Sequence, residues 1–197
     1  MKAALAIFHE NTARVRSLGG LHGALSRLTT NAIDSSDLLR AQIVLTVSAL
    51  DFFVHEITVR GTLEILKGVR PASPGFMRQK VSGSLILGPA ANSLVRFEED
   101  LRQRHSILSF QQPDKIADAV RLFSEKQLWK EVGIKLSQPE ETIKNQLTLI
   151  VGRRNKIAHE ADIDPTYGTR WPIATTDATL TLTFIESVCL AIYDIVS

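Results

Sequence analysis

The chain has 197 residues, of which 44% are hydrophobic and 22% are charged, the composition of an ordinary soluble globular protein. The net charge of +2 argues against a protein that coats nucleic acid through bulk charge, although it leaves room for a local basic site. The single cysteine, Cys189, excludes an internal disulfide and fits a reducing cytoplasm.

The first element is a helix over residues 2 to 29, where hydrophobic residues recur at three- and four-residue spacings. Three glycines between residues 19 and 23 predict a kink or break in its second half. His9 and Glu10 interrupt the opening apolar stretch, so we expect no targeting segment. No run approaches the ~18 apolar residues of a membrane helix, so we also expect no membrane segment.

A long helix over residues 37 to 67 follows, and it is apolar on nearly all sides. Such a helix belongs at the centre of a bundle, because every face must be covered. The remaining predicted elements are a loop over 68 to 89 with a short helix around 76 to 81, helices over 90 to 109 and 113 to 131 separated by Pro113, a helix from 139 that Pro165 stops, and a last helix over 176 to 195.

The last helix contains the string TLTLTF, whose two-residue alternation leaves a strand open as the alternative. No partner strand is visible elsewhere, which favours the helix. The sequence thus predicts a single all-α domain over residues 1 to 197, a bundle of six or seven helices around a long central helix.

The string VGRRNKIAHEAD gathers basic residues on the helix that we take as residues 139 to 162. Asn155 and His159 are four residues apart, about 40° around that helix, and share a face. Arg154 and His159 are about 140° apart and do not point the same way. A pocket that holds both therefore needs a second wall, from another helix or another subunit.

Arginine and histidine in one pocket suit phosphate chemistry. The guanidinium of Arg154 is always charged, and its donors match phosphate oxygens. The imidazole of His159 exchanges a proton near neutral pH. Together they can cleave RNA without a metal, because the ribose 2′-hydroxyl supplies the nucleophile that DNA lacks.

A plain structural interpretation stays open beside this one. Basic residues near the end of a helix favour its negative pole, whatever their function. The bare spacing also proves little, since Arg16 and His22 form a similar pair in a glycine-interrupted helix. A charged helix end on a bundle without catalysis therefore remains an alternative.

The wider sequence resembles the nuclease-type HEPN superfamily (higher eukaryotes and prokaryotes nucleotide-binding domains), and its RiboL-PSP-like branch in particular. The resemblance lies in RRNKIAHEAD, in the Asp-Pro and GTRWPI that follow it, and in SALDFFVHEI at residues 48 to 57. Residues 68 to 136 match nothing in that pattern. The resemblance implies a helical bundle, often a homodimer in which the motifs of two subunits meet at one cleft.

The same resemblance implies a metal-independent endoribonuclease of a toxin–antitoxin or other defence system, with RNA as substrate, no cofactor, and an antitoxin protein as a further partner. The single cysteine adds the expectation that it is cytoplasmic. By the motif, Arg154 and His159 are the catalytic pair, and Asn155 is the polar residue that follows the arginine. Inactive members of the superfamily bind RNA, nucleotides or proteins, which is the alternative function.

Five further residues have two interpretations each. Asp51 and His55 share a face of the central helix, where they either form an internal hydrogen bond or line the cleft and orient the catalytic pair. Arg153 and Lys156 are either solvated charges or contacts to RNA phosphates. Trp171, after the motif helix, either anchors its loop or stacks on a base.

Overall fold

The computed structural model describes residues 1–29, 33–87 and 92–197. In these ranges the regular secondary structure is helical, apart from one isolated bridge between Ile163 and Arg170. The helices are Lys2–Leu28 (α1), Ser36–Leu66 (α2), Pro74–Met77 (α3), Gly83–Leu87 (α4), Ser93–His105 (α5), Pro113–Arg121 (α6), Leu128–Leu136 (α7), Glu140–His159 (α8) and Thr175–Val196 (α9). The all-α prediction is confirmed, with seven helices of nine residues or more and two short ones among these residues.

The long helix α2 lies at the centre, as its sequence predicts. It packs against α1, α5, α6, α8 and α9. Its side chains Leu50, Phe53 and Ile57 are fully buried in the main core, together with side chains of α1, α6, α7, α8 and α9. The core therefore forms around α2, and the other helices are positioned by their contact with it.

The predicted break in the first helix is wrong, since α1 continues through its glycines to Leu28. A Cβ on Gly19 would lie 2.6 Å from Nε2 of Gln42, so the glycine allows α2 to approach α1 closely. That amide group donates to the carbonyl oxygen of Val15 at 3.1 Å. The missing side chain is used for packing between helices and not for a bend.

The predicted helix over 113 to 131 is wrong as one element, because α6 and α7 are separate helices. Phe123 lies between them and is 1% exposed. Its ring occupies the space above Gly61, where a Cβ would come within 2.2 Å of the ring. The turn between α6 and α7 buries this phenylalanine against α2, a tertiary contact that periodicity does not reveal.

Other boundaries differ less. The segment predicted as a loop with one short helix contains α3 and α4, and its last two positions, 88 and 89, fall outside the described residues. The same holds for the first two positions of the helix predicted to begin at 90, whose described part is α5. TLTLTF lies inside α9, so the helical interpretation is confirmed.

Two helices, α2 and α9, are long and apolar enough to cross a membrane by length and composition. Their most apolar windows are 56% and 44% buried within the chain itself, and the two helices pack against each other. Core helices of a soluble bundle have the same character. The expectation of no membrane segment stays a prediction.

Candidate active site

The second half of α8 continues a buried stripe with polar residues. Ile143, Leu147 and Val151 are buried at four-residue spacings. Arg154 follows Val151 by three residues and therefore projects from nearly the same face, where it is partly buried. His159, the last residue of α8, is exposed. The helix thus carries its arginine at the edge of the core and its histidine in solvent.

The side chains of Arg154, Asn155 and His159 make no hydrogen bond or ion pair with any other residue that the structure describes. Both Arg154 and His159 lie within α8, so the separation of about 140° between them applies. Asn155 is partly buried on the histidine side of the helix. The donors and acceptors of all three side chains are therefore available to a ligand or to a second chain.

The helix ends sooner than Pro165, which corrects the predicted range of 139 to 162. The φ angles of Ala161 and Asp162 are +52° and +58°, left-handed values that a non-glycine residue seldom adopts. The backbone N–H of Asp162 turns back to the carbonyl oxygen of Lys156 at 3.0 Å. This left-handed pair stops α8 at His159, six residues before the proline.

Asp162 is fully buried and accepts two arginines on one oxygen. Its Oδ2 accepts from Nε of Arg40 at 2.8 Å and from Nη2 of Arg153 at 2.9 Å. Arg40 also donates to the carbonyl oxygen of Trp171 at 2.8 Å. Arg153 donates in addition to the carbonyl oxygen of Pro172 at 3.2 Å. The guanidinium of Arg153 is thus bound within the protein, and its expected contact to RNA stays a prediction.

Sequence reasoning missed both Arg40 and Asp162. A signal for Arg40 existed, because a charged residue within a helix that is apolar on all sides needs a buried partner. Nothing in the sequence marks Asp162 as that partner, since it lies 122 residues away.

The loop after α8 is held by its own hydrogen bonds. The N–H of Trp171 donates to the carbonyl oxygen of Asp162, and the N–H of Asp164 donates to that of Thr169, both at 2.8 Å. Gly168 adopts φ +65°, which glycine tolerates. Nζ of Lys156 lies 5.3 Å from the centre of the Trp171 ring, a cation–π distance. Trp171 is therefore placed as an anchor of this loop, and Lys156 remains exposed beside the motif.

Asp51 and His55 belong to a different set of contacts. The carboxylate of Asp51 accepts from the backbone N–H of Phe110 at 2.6 Å and from Nε2 of Gln111 at 3.0 Å. Nε2 of His55 lies 3.8 Å from Asp51, and its ring is 4.5 Å from that of Phe110. Within the described chain these two residues hold the segment after α5, and no hydrogen bond or ion pair joins them to the motif.

His105, at the end of α5, lies next to this set. It is 6% exposed, and its ring is 6.3 Å from that of His55. Burial lowers the pKa of His105 to about 4, and the neighbouring charges of His55 and Arg104 act in the same direction. The imidazole is consequently neutral at physiological pH.

The fold and the motif together define an all-α protein of the HEPN type. The family model described as RiboL-PSP-HEPN matches residues 10–197, nearly the whole sequence. The chain therefore belongs to the RiboL-PSP-HEPN family, and this membership indicates a nuclease-type or RNA-related role. No curated protein and no solved structure gave a significant match.

Proposed function

We propose that the protein is a metal-independent endoribonuclease in which Arg154 and His159 are the catalytic residues. One observation supports this most: both side chains lie at the end of α8 without partners among the described residues, while the neighbouring Arg153 is bound to Asp162. Unpaired cationic and titratable groups are what a phosphate substrate requires. Membership of a family with an RNA-related role makes RNA the expected substrate.

The chemistry assigns one step to each group. His159 removes the proton from the ribose 2′-hydroxyl or gives a proton to the departing 5′-oxygen. Arg154 binds the scissile phosphate and stabilises the charge that develops on its oxygens. Asn155, on the histidine side of the helix, helps to hold this geometry. The products are a 2′,3′-cyclic phosphate and a 5′-hydroxyl.

The separation of about 140° between the two groups leads us to propose a homodimer. Arg154 must curl back to reach a phosphate that His159 also contacts, and such a pocket needs a second wall, which a second copy of the chain supplies. The outer face of α8 suits this contact. Leu149 is 74% exposed, and a Cβ on Gly152 would meet no atom within 4 Å apart from its chain neighbours and the backbone of its own helix. Another helix can therefore approach closely beside Asn155 and His159.

Lys156 is the proposed additional contact to RNA. Its ammonium group is exposed, yet the Trp171 ring keeps it near one position. A lysine so placed attracts the phosphate backbone without reading base sequence.

The experiment that tests the activity uses purified protein and single-stranded RNA in the presence of EDTA. We expect cleavage with the two end groups named above, and no cleavage of DNA of the same sequence. RNA that is bound but left intact would favour the alternative, a non-catalytic binding module, and would overturn the proposal. Cleavage that needs added Mg²⁺ would overturn the metal-independent mechanism.

We also propose that the protein acts in the cytoplasm as a toxin or defence effector that an antitoxin restrains. Expression of the wild type in a bacterium should then slow growth, while the His159→Ala variant should not. Equal growth with both proteins, at equal levels of soluble protein, would contradict this role without touching the cleavage assay.

A further inference from the structure

Arg153 and Arg154 are neighbours with the same chemistry and different surroundings. Arg153 donates to Asp162 and to the carbonyl oxygen of Pro172, whereas Arg154 has no partner among the described residues. Successive residues of a helix project about 100° apart, so helix geometry alone does not decide which arginine is free. The residue that binds Arg153 determines which of the two arginines is free.

Asp162 is the residue that binds Arg153. Its side chain is 0% exposed, and a buried carboxylate is stable only where cations or donors compensate it. The second cation, Arg40, is 8% exposed and is itself bound to Oγ of Ser36 at 2.6 Å and to the carbonyl oxygen of Trp171. This rigid arrangement fixes the carboxylate, and the carboxylate then holds Arg153.

The backbone at the same point carries strain. Ala161 and Asp162 both adopt left-handed φ angles, which persist only where the surrounding contacts impose them. The side chain of Asp162 and its carbonyl oxygen, which accepts from the N–H of Trp171, impose them here. Because Ala161 and Asp162 end α8, His159 is the last residue of the helix.

We propose that Asp162 is the positioning residue of the catalytic site: it holds Arg153 in an ion pair and ends α8 at His159, so that Arg154 is the cation presented to the substrate. The inference rests on the proposed function for its consequence in catalysis. Asp162 touches neither member of the catalytic pair, and its effect passes through Arg153 and the end of the helix.

The test compares Asp162→Asn with a matched control, Asp164→Asn. Both replace a buried aspartate of the same segment by its uncharged isostere. Asp164 accepts from the N–H of Thr166 at 2.8 Å, a bond that the asparagine oxygen can keep, and it holds no arginine among the described residues. We expect kcat for RNA cleavage to fall by about 10- to 100-fold in Asp162→Asn, because a small displacement of catalytic groups costs that much. The KM should not rise.

The salt dependence of RNA binding is a second measurement, and structural damage alone would not make it steeper. In Asp162→Asn the amide oxygen of the introduced asparagine can still accept a hydrogen bond, but it has no charge to hold the guanidiniums of Arg40 and Arg153 side by side. Arg153 should therefore be released toward phosphate, and the slope of log Kd against log salt should steepen by about one. The Asp164→Asn variant should keep the wild-type slope and kcat. Wild-type kcat in a folded Asp162→Asn protein, or an equal loss in Asp164→Asn, would overturn the proposal.

A third measurement does not depend on activity. An arginine-selective dicarbonyl reagent should label Arg153 faster in Asp162→Asn than in the wild type or in Asp164→Asn, as mass spectrometry of the peptide from α8 reports. If the wild type cleaves no RNA, the proposed function fails, and this labelling still decides whether Asp162 holds Arg153. Unchanged labelling overturns the proposal.

If Asp162→Asn does not fold, Arg153→Gln and Arg154→Gln are compared instead. Arg153→Gln should lose less than about tenfold in kcat where Arg154→Gln loses more than about a hundredfold, since only the second faces substrate. Equal losses would overturn the proposal, because Arg153 would then contribute to cleavage as much as Arg154 does.

Discussion

The middle of α2 and the end of α8 contain similar side chains, but the first set is closed by internal bonds and the second is open. Asp51 and His55 lie in hydrogen-bonding or ring contact with Phe110 and its neighbour. Arg154 and His159 have no such partners within the described chain. Residue type and helical spacing alone therefore do not separate the two regions, whereas the hydrogen-bonding capacity left unused within the described chain does.

The largest effect should come from removing the open groups. His159→Ala and Arg154→Ala should each lower RNA cleavage by about 10²- to 10⁴-fold, because general acid–base and charge-stabilising groups contribute that much. The midpoint of thermal unfolding should barely change, since neither side chain is bonded within the described chain. His9→Ala, which removes an exposed histidine of α1, is the control. Full activity in either motif variant would remove the motif from the mechanism.

His105, which lies next to Asp51 and His55, should make the stability of the protein depend on pH. Burial lowers the pKa of His105 to about 4, against 6.5 for a free histidine. The unfolded chain therefore binds the proton first as the pH falls, so stability is fully present above about 6.5 and is lost as the pH approaches 4. The loss should reach roughly 2 to 3 kcal/mol.

Urea denaturation at several pH values, with His105→Gln beside the wild type, measures this loss. The variant should be less stable at pH 7 and should show a flatter dependence between pH 6.5 and 4, the range set by the two pKa values. Parallel curves for the two proteins would mean that His105 titrates like a free histidine.

Asp51→Ala should act on stability and spare the chemistry. It leaves the N–H of Phe110 and the amide of Gln111 without their acceptor, at a cost of about 1–3 kcal/mol. Cleavage by the folded fraction should fall far less than in His159→Ala, and His55→Ala should behave likewise. If either variant loses as much cleavage as His159→Ala while folded, these residues orient the catalytic pair after all.

The smallest effect concerns the surroundings of the open site. Lys156→Ala should weaken RNA binding and lower the slope of log Kd against log salt by about one, with little change in kcat at saturating RNA. Lys115→Ala, an exposed lysine on α6, is the control and should leave the slope unchanged. An equal change in both variants would indicate nonspecific attraction to the whole surface.

The closed and open regions also differ in how far the sequence predicts them. The apolar character of α2 on nearly all sides placed it at the centre, because such a helix must be covered. The lack of a predicted partner strand decided that α9 is a helix, although TLTLTF alternates like a strand. Helical periodicity also placed Arg154 and His159 on one helix, which is α8. Periodicity could not predict the pairing of Asp162 with Arg40, because tertiary packing brings together residues that lie far apart in the chain. The end of α8 was missed for a related reason, since no glycine or proline marks the left-handed pair Ala161–Asp162.

In the proposed homodimer, two copies of α8 combine their arginine and histidine across one cleft. The most direct test of this claim is to co-express Arg154→Ala and His159→Ala chains and to measure RNA cleavage in EDTA. Random pairing makes half of the dimers mixed, and each mixed dimer keeps one intact site of two, so about a quarter of wild-type activity should return. A mixture as inactive as either variant alone would contradict the claim.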